Sequence, residues 1–266
     1  MRHPNTNQTR LARLSLLALL LPLLATLAPL PARAGSFAEQ QRRHPRYRAA
    51  EASRAAALER RFRDAGAAWP PRIHLRAFKL EGTLELWAAP ARGDRWVPVQ
   101  ALPICAASGR LGPKRQQGDA QVPEGFYTID RFNPRSAWHL SLGLDYPNAV
   151  DRARARPGRP LGGDIFIHGD CVTIGCLPLR DGPMEDIYLA AVAARDAGQA
   201  RIAAHVFPCR FGTDRCAAAL EAAGRLRPAD AATWPALMPA HALFEDEGIP
   251  PAVRATPQGY RIRSGR

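Results

Sequence analysis

The stretch richest in reactive side chains runs Ile167-His168-Gly169-Asp170-Cys171-Val172-Thr173-Ile174-Gly175-Cys176. A thiol attacks a carbonyl only as the thiolate, and a nearby imidazole lowers its pKa by stabilising the anion. Cys176 is therefore the candidate nucleophile and His168 its base. Gly175 lets the backbone approach a substrate closely. The amide N–H groups of Ile174, Gly175 and Cys176 can then face a developing oxyanion, a contribution of about 3 kcal/mol to the barrier. Two other readings stay open. His168, Cys171 and Cys176 would make three zinc ligands, though the spacing fits no common zinc pattern and no fourth ligand is evident. A Cys171–Cys176 disulfide would remove the nucleophile.

Five cysteines are present, Cys105, Cys171, Cys176, Cys209 and Cys216. An odd number leaves at least one thiol unpaired. Cys209 and Cys216 are the better disulfide pair. Cys105 and Cys171 either pair or stay reduced as small core residues. His139 reads as a mid-strand histidine, structural or facing a groove. Lys114 and Asp119 lie on a loop, and Tyr146-Pro147-Asn148 is a turn by its chemistry.

The elements that must position these groups follow from hydrophobic period. Phe37 to Ala65 reads as one or two amphipathic helices, ended by Trp69-Pro70-Pro71. From Arg72 the period shortens: Ile73–Phe78 and Leu84–Ala88 form a hairpin about Glu81-Gly82. Further strands are expected at Trp96–Ile104, Gly125–Ile129, Trp138–Leu142 and Arg201–Phe207. Asp164–His168 is the most apolar and so the expected central strand. Ser108–Asp119 reads as a long loop and Met184–Ala197 as a helix. The tail shows short helical pieces at Ala217–Leu226 and Ala231–Leu237, then a strand-like Tyr260–Ile262.

The N-terminus carries Arg2, Arg10 and Arg13, an apolar Leu14–Leu30 run and Ala32-Arg33-Ala34. That is a signal-peptide pattern with cleavage expected after Ala34. Cleavage would remove four arginines and no acid, lowering the formal charge from +13 to +9. A basic exported chain meets anionic envelope polymers. No nucleic-acid motif is present, so no nucleic-acid partner is expected.

The His-Gly and Thr-x-Gly-Cys elements resemble the active-site motif of the L,D-transpeptidase catalytic domain, the YkuD-like family. The chain resembles its YafK-type branch through Pro103-Ile104-Cys105, Ser108-Gly109, Leu111-Gly112-Pro113-Lys114, Gly118-Asp119 and Pro123–Tyr127. His139-Leu140-Ser141, Tyr146–Ala149, Asp151-Arg152-Ala153 and Ile167–Cys176 continue the run. The resemblance implies a mainly β fold with helical additions. Its β-sandwich-type catalytic domain would span 72–212, after a signal peptide (1–34) and a helical leader (35–71), with a C-terminal appendage at 213–266. It implies Cys176 as nucleophile, His168 as base and Gly169 as the carbonyl that orients the imidazole, with Thr173 and Gly175 shaping the oxyanion pocket. The implied activity is acyl transfer on peptidoglycan stem peptides at the diaminopimelate L-centre carbonyl, ending in transpeptidation or hydrolysis. A peptidoglycan-linked lipoprotein is an implied partner and the periplasm the implied location. No metal or organic cofactor is expected. One departure is Pro178, where the family often has a basic or amide residue; Arg180, Arg152 or Lys114 would then hold the substrate carboxylate, and His139 a groove position. The competing reading is a non-catalytic wall-binding protein with a degenerate site. Oligomeric state is not legible.

Overall fold

The computed structural model describes residues 35–266. The proposed signal segment lies outside the described residues. Ser36 caps α1 (Phe37–Arg42) through a reciprocal box with Glu39, which satisfies two orphan N–H groups of the first turn. α2 (Pro45–Asp64) follows, with Pro45 at its first turn, where a missing N–H costs nothing. Three antiparallel strands come next, β1 (Ile73–Phe78), β2 (Thr83–Ala88) and β3 (Val97–Pro103). After a long loop come β4 (Gly125–Asn133), β5 (Ser141–Leu144), α3 (Ala149–Ala153), β6 (Phe166–His168), β7 (Leu177–Pro178), α4 (Asp181–Asp196) and β8 (Ala203–Phe207). The tail adds α5 (Asp214–Leu226), α6 (Pro228–Ala231), α7 (Met238–Glu247) and the hairpin of β9 (Ala252–Thr256) and β10 (Gly259–Arg263).

Eight strands form one mixed sheet in the order β3-β2-β1-β8-β4-β5-β6-β7. β4 belongs to two ladders: Gly125–Thr128 pairs with β8, while Ile129–Asn133 pairs with β5 across a register shift at Ile129/Arg131. The sheet curls there, and the architecture is the expected mainly β domain with helical additions. α4 supplies Met184, Ile187, Tyr188, Ala190, Ala191 and Val192 to the core, all fully buried. Burial of each larger side chain stabilises the fold by roughly 1.5–3 kcal/mol. The leader helices pack on α4: Arg54 and Arg61 both bind Asp186, and the Tyr188 hydroxyl donates to Gln41.

Three sequence expectations are corrected. Asp164–His168 is not central: β6 sits next to the edge strand β7, and β8 and β4 occupy the middle. Its apolar residues are covered by a helix face, since α4 packs against β6, and composition cannot separate that from flanking strands. Trp138–Leu142 is not one strand either. His139 adopts φ 61°, a left-handed conformation that breaks an extended run, so β5 starts at Ser141. The tail also contains α7 and β9, which its Pro-interrupted sequence concealed.

The back of the sheet is closed by the tail over a buried histidine pair. His74 and His205 lie with ring centroids 4.5 Å apart, and His74 stacks on Phe244 of α7 at 5.6 Å. Neither ring nitrogen of His74 has a hydrogen-bond partner. Burial pushes both histidines toward the neutral form, His205 down to about 3. The folded state therefore binds fewer protons than the unfolded chain below about pH 6.5, and stability falls as pH drops through that window. His74→Phe keeps the stacking and removes the titration. The unfolding free energy of this variant, from urea melts at about pH 7.5 and about pH 5, should fall less with acid than that of the parent chain.

Candidate active site

β6 and β7 run parallel, with Ile167 opposite Leu177 and His168 opposite Pro178. Continuing that register by one residue sets Cys176 opposite Phe166, two positions from His168 on the same side of the ladder. Strand spacing puts the two Cα atoms roughly 8 Å apart. Cys176 is the free cysteine among the described residues; Cys105 pairs with Cys171, and Cys209 with Cys216. The Cys171–Cys176 bridge and the three-ligand zinc reading both fail here, because the Cys171 sulfur is bonded to Cys105.

The Cys176 sulfur accepts the Phe166 N–H at 3.4 Å and approaches the Asp164 carbonyl at 3.7 Å. It makes no hydrogen bond to His168. The imidazole is buried at 2% exposure beneath Trp138, with ring centroids 5.4 Å apart. Its Nδ1 faces the Gly169 carbonyl at 2.5 Å. That contact assigns the proton to Nδ1 and leaves Nε2 as the acceptor. Burial lowers the His168 pKa and raises that of Cys176, the latter against the Phe166 N–H and the Lys114 charge. Both shifts run against the charged form of each group in this arrangement.

Thr173 organises the loop that presents the cysteine. Its hydroxyl accepts the Gly175 N–H at 3.1 Å and the Cys176 N–H at 2.9 Å, and donates to the Cys176 carbonyl at 2.9 Å. Two of the three expected oxyanion donors are therefore already engaged. The Ile174 amide alone of the three has no partner among the described residues, and Ile174 is 86% exposed. Gly175 has φ 137°, and a Cβ there would lie 3.1 Å from the Gln121 carbonyl oxygen. A Cβ on Gly169 would lie 2.6 Å from Asp181 Oδ1 and 2.8 Å from His139 Cβ. Both glycines are required by close approach.

Helix α4 positions this loop from below. Asp181 accepts the Asp170 N–H at 2.9 Å, and Glu185 pairs with His139 Nε2 at 2.9 Å. Arg46 of α2 grips the Ser136 and His139 carbonyls. His139 thus sits in the turn under Gly169, tied to α4.

Cys176 opens on a cavity of about 250 Å³ walled by Lys79, Ile104, Ser108–Leu111 and Val122. His168 does not line it. Lys79, which the sequence reading missed, donates to the Gly112 and Val122 carbonyls and pairs with Glu124 at 2.9 Å. That pair fixes the 108–124 wall, and Glu124 also receives the Trp234 N–H at 2.8 Å. Lys114 is buried and bonded to Asp119 at 2.6 Å. Burial alone would raise the Asp119 pKa; Lys114 and three backbone N–H groups outweigh it and lower it. Lys114 therefore reaches Cys176 by its charge, while its ammonium is held by Asp119. Arg152 does not reach this cavity. It lies on α3, donates to the Pro147 carbonyl and lines a separate groove. Arg180 is exposed at the N-cap of α4.

Residues 89–195, which include His168 and Cys176, match the YkuD family, the L,D-transpeptidase catalytic domain. YafK of Escherichia coli strain K12 is 35% identical over 141 residues, covering 52% of this chain and 55% of the relative. The chain thus spans about half the length of the curated relatives it matches. Among solved structures, the helical cell shape determining protein Pgp2 from Campylobacter jejuni aligns at TM-score 0.40 and 18% identity, over 57% of this chain and 55% of that one. Bdellovibrio bacteriovorus Bd1075 aligns at TM-score 0.37 and 16% identity, over 58% and 55%.

Two measurements check the geometry. The rate of Cys176 alkylation by iodoacetamide should rise with pH through a midpoint above about 8.5, the ordinary thiol value, and Lys114→Met should move it higher. A midpoint near neutrality would contradict the upward shift of the thiol. Thr173→Val removes the acceptor for two amides and should destabilise the fold by about 1–3 kcal/mol in urea melts, whereas Thr173→Ser should cost little.

Proposed function

Proceeding from the match of residues 89–195 to the L,D-transpeptidase catalytic domain, we propose that this chain is a cysteine acyltransferase acting on peptidoglycan stem peptides. The observation that carries the reading is the isolation of one thiol: four cysteines are bridged, and Cys176 stays free at a cavity wall, two ladder positions from an imidazole with an available Nε2.

Substrate entry turns the Cys176 sulfur from the Phe166 N–H toward His168. Nε2 takes the thiol proton as sulfur attacks the carbonyl carbon on the L-centre of diaminopimelate. The carbonyl becomes an oxyanion, for which the unpartnered Ile174 N–H is the candidate donor. The tetrahedral intermediate collapses: the C–N bond breaks, the imidazolium gives its proton to the departing amine, and a thioester remains on Cys176. An amine acceptor then yields transpeptidation, and water yields hydrolysis. The likeness to YafK favours water, including release of a lipoprotein joined to the wall through its C-terminal lysine. No step draws on a metal or organic cofactor. The same reading places the protein in the periplasm, supported by the N-terminal leader pattern and by two disulfides, which persist in oxidising compartments.

Incubation with purified sacculi, followed by muropeptide and released-protein analysis, tests the function. The chain should produce new cross-linked dimers, or trimmed stems and freed lipoprotein; Cys176→Ala should produce none of these. His168→Gln should slow turnover by about 10²–10⁴-fold, the usual loss of a general base. Unchanged sacculi with the unsubstituted chain would overturn the proposal.

A further inference from the structure

Among the described residues, cavities larger than the one at Cys176 lie away from it. Two grooves, of about 860 and 710 Å³, share Arg201, Ala203, Pro251 and Ala252. They run beside the C-terminal hairpin, at the end of the sheet where β1 and β8 begin. Ile73, the first residue of β1, lines this groove, whereas Lys79, just past its end, lines the Cys176 cavity. Six residues of strand separate the two by roughly 20 Å.

The groove is electropositive. Arg152 and Arg201 line its walls, and Arg254, Arg261 and Arg263 stand on the outer face of the hairpin beside it. None of these five pairs with a carboxylate among the described residues. The acids on the walls are Asp145 and Asp94, and both Asp145 oxygens are held by Thr128. Arg254 lies directly opposite Arg261 in the β9–β10 register, a like-charge pair that disfavours the strand pairing and that a bound anion would relieve. The hairpin folds by its other face, where Val253, Tyr260 and Ile262 pack on the Phe78, Phe126 and Phe207 cluster. The fold therefore does not need the arginines.

We propose that this groove is a second binding site, which holds carboxylate-bearing stem peptides of the wall polymer away from the reacting centre. The ligand class rests on the peptidoglycan reading above, because that polymer carries free carboxylates at intervals along an extended strand. The site would keep the enzyme on the wall between turnovers.

The test is co-sedimentation with purified sacculi, using the chain with Cys176→Ala so that the polymer stays intact. Adding R254E, R261E and R263E together should weaken pelleting by about tenfold or more, and added salt should weaken the parent in the same direction. Sacculi whose carboxylates have been amidated should pellet the parent poorly. With Cys176 restored, the triple variant should turn over a soluble disaccharide-tetrapeptide at the parent rate. Undiminished pelleting of the triple variant, undiminished pelleting on amidated sacculi, or binding that follows anionic phospholipid vesicles in place of sacculi would each overturn the site. Equal loss on the soluble fragment would also overturn it, because the arginines would then belong to the Cys176 site. If charge-dependent pelleting persists in a chain with no turnover, the groove stands and the catalytic reading falls.

Discussion

Two register pairs, Ile167 with Leu177 and His168 with Pro178, bring the Cys176 sulfur and the His168 imidazole onto one side of a short parallel ladder. That ladder lies at the rim of the sheet, so the packing beneath it matters more than its own few hydrogen bonds. The packing comes from α4, whose Asp181 and Glu185 hold Asp170 and His139, and from the leader helices that fix α4 through Arg54, Arg61 and Asp186. The Cys105–Cys171 bridge ties the loop between His168 and Cys176 to the segment that walls the cavity. The helical leader thus belongs to the mechanics of the site.

Electrostatics then set the resting state. Burial disfavours charge on both candidate groups, raising the thiol and lowering the imidazole. An ion pair would have to repay two desolvation penalties across a gap with no direct hydrogen bond. Burial therefore weighs against the ion pair in this arrangement. The Phe166 N–H and the Lys114 charge act in the opposite sense and keep the anion accessible.

Much of this was legible in the sequence. Alternation marked β1 and β2, the Cys209–Cys216 spacing marked one bridge, and the His-Gly and Thr-x-Gly-Cys elements singled out His168 and Cys176 as the candidate pair. What escaped was set by distant contacts. The apolar run at Asp164–His168 implied burial without saying that a helix provides it. Nothing local signals that His139 turns left-handed, or that the Thr173 hydroxyl takes the Gly175 and Cys176 amides. The Lys79–Glu124 pair joins residues 45 positions apart, and neither has a motif around it. Arg152 sits in a family-like block, yet α3 carries it to the opposite groove.

The central claim is that the Cys176 sulfur becomes the acyl carrier. Rapid acid quench of the chain with a soluble disaccharide-tetrapeptide, followed by intact-mass and peptide mapping, measures this directly. The account predicts a hydroxylamine-labile adduct on the Cys176 peptide, with the mass of the substrate less its leaving amine. Product formation from that substrate with no adduct at any quench time, or an adduct on another residue, would contradict it.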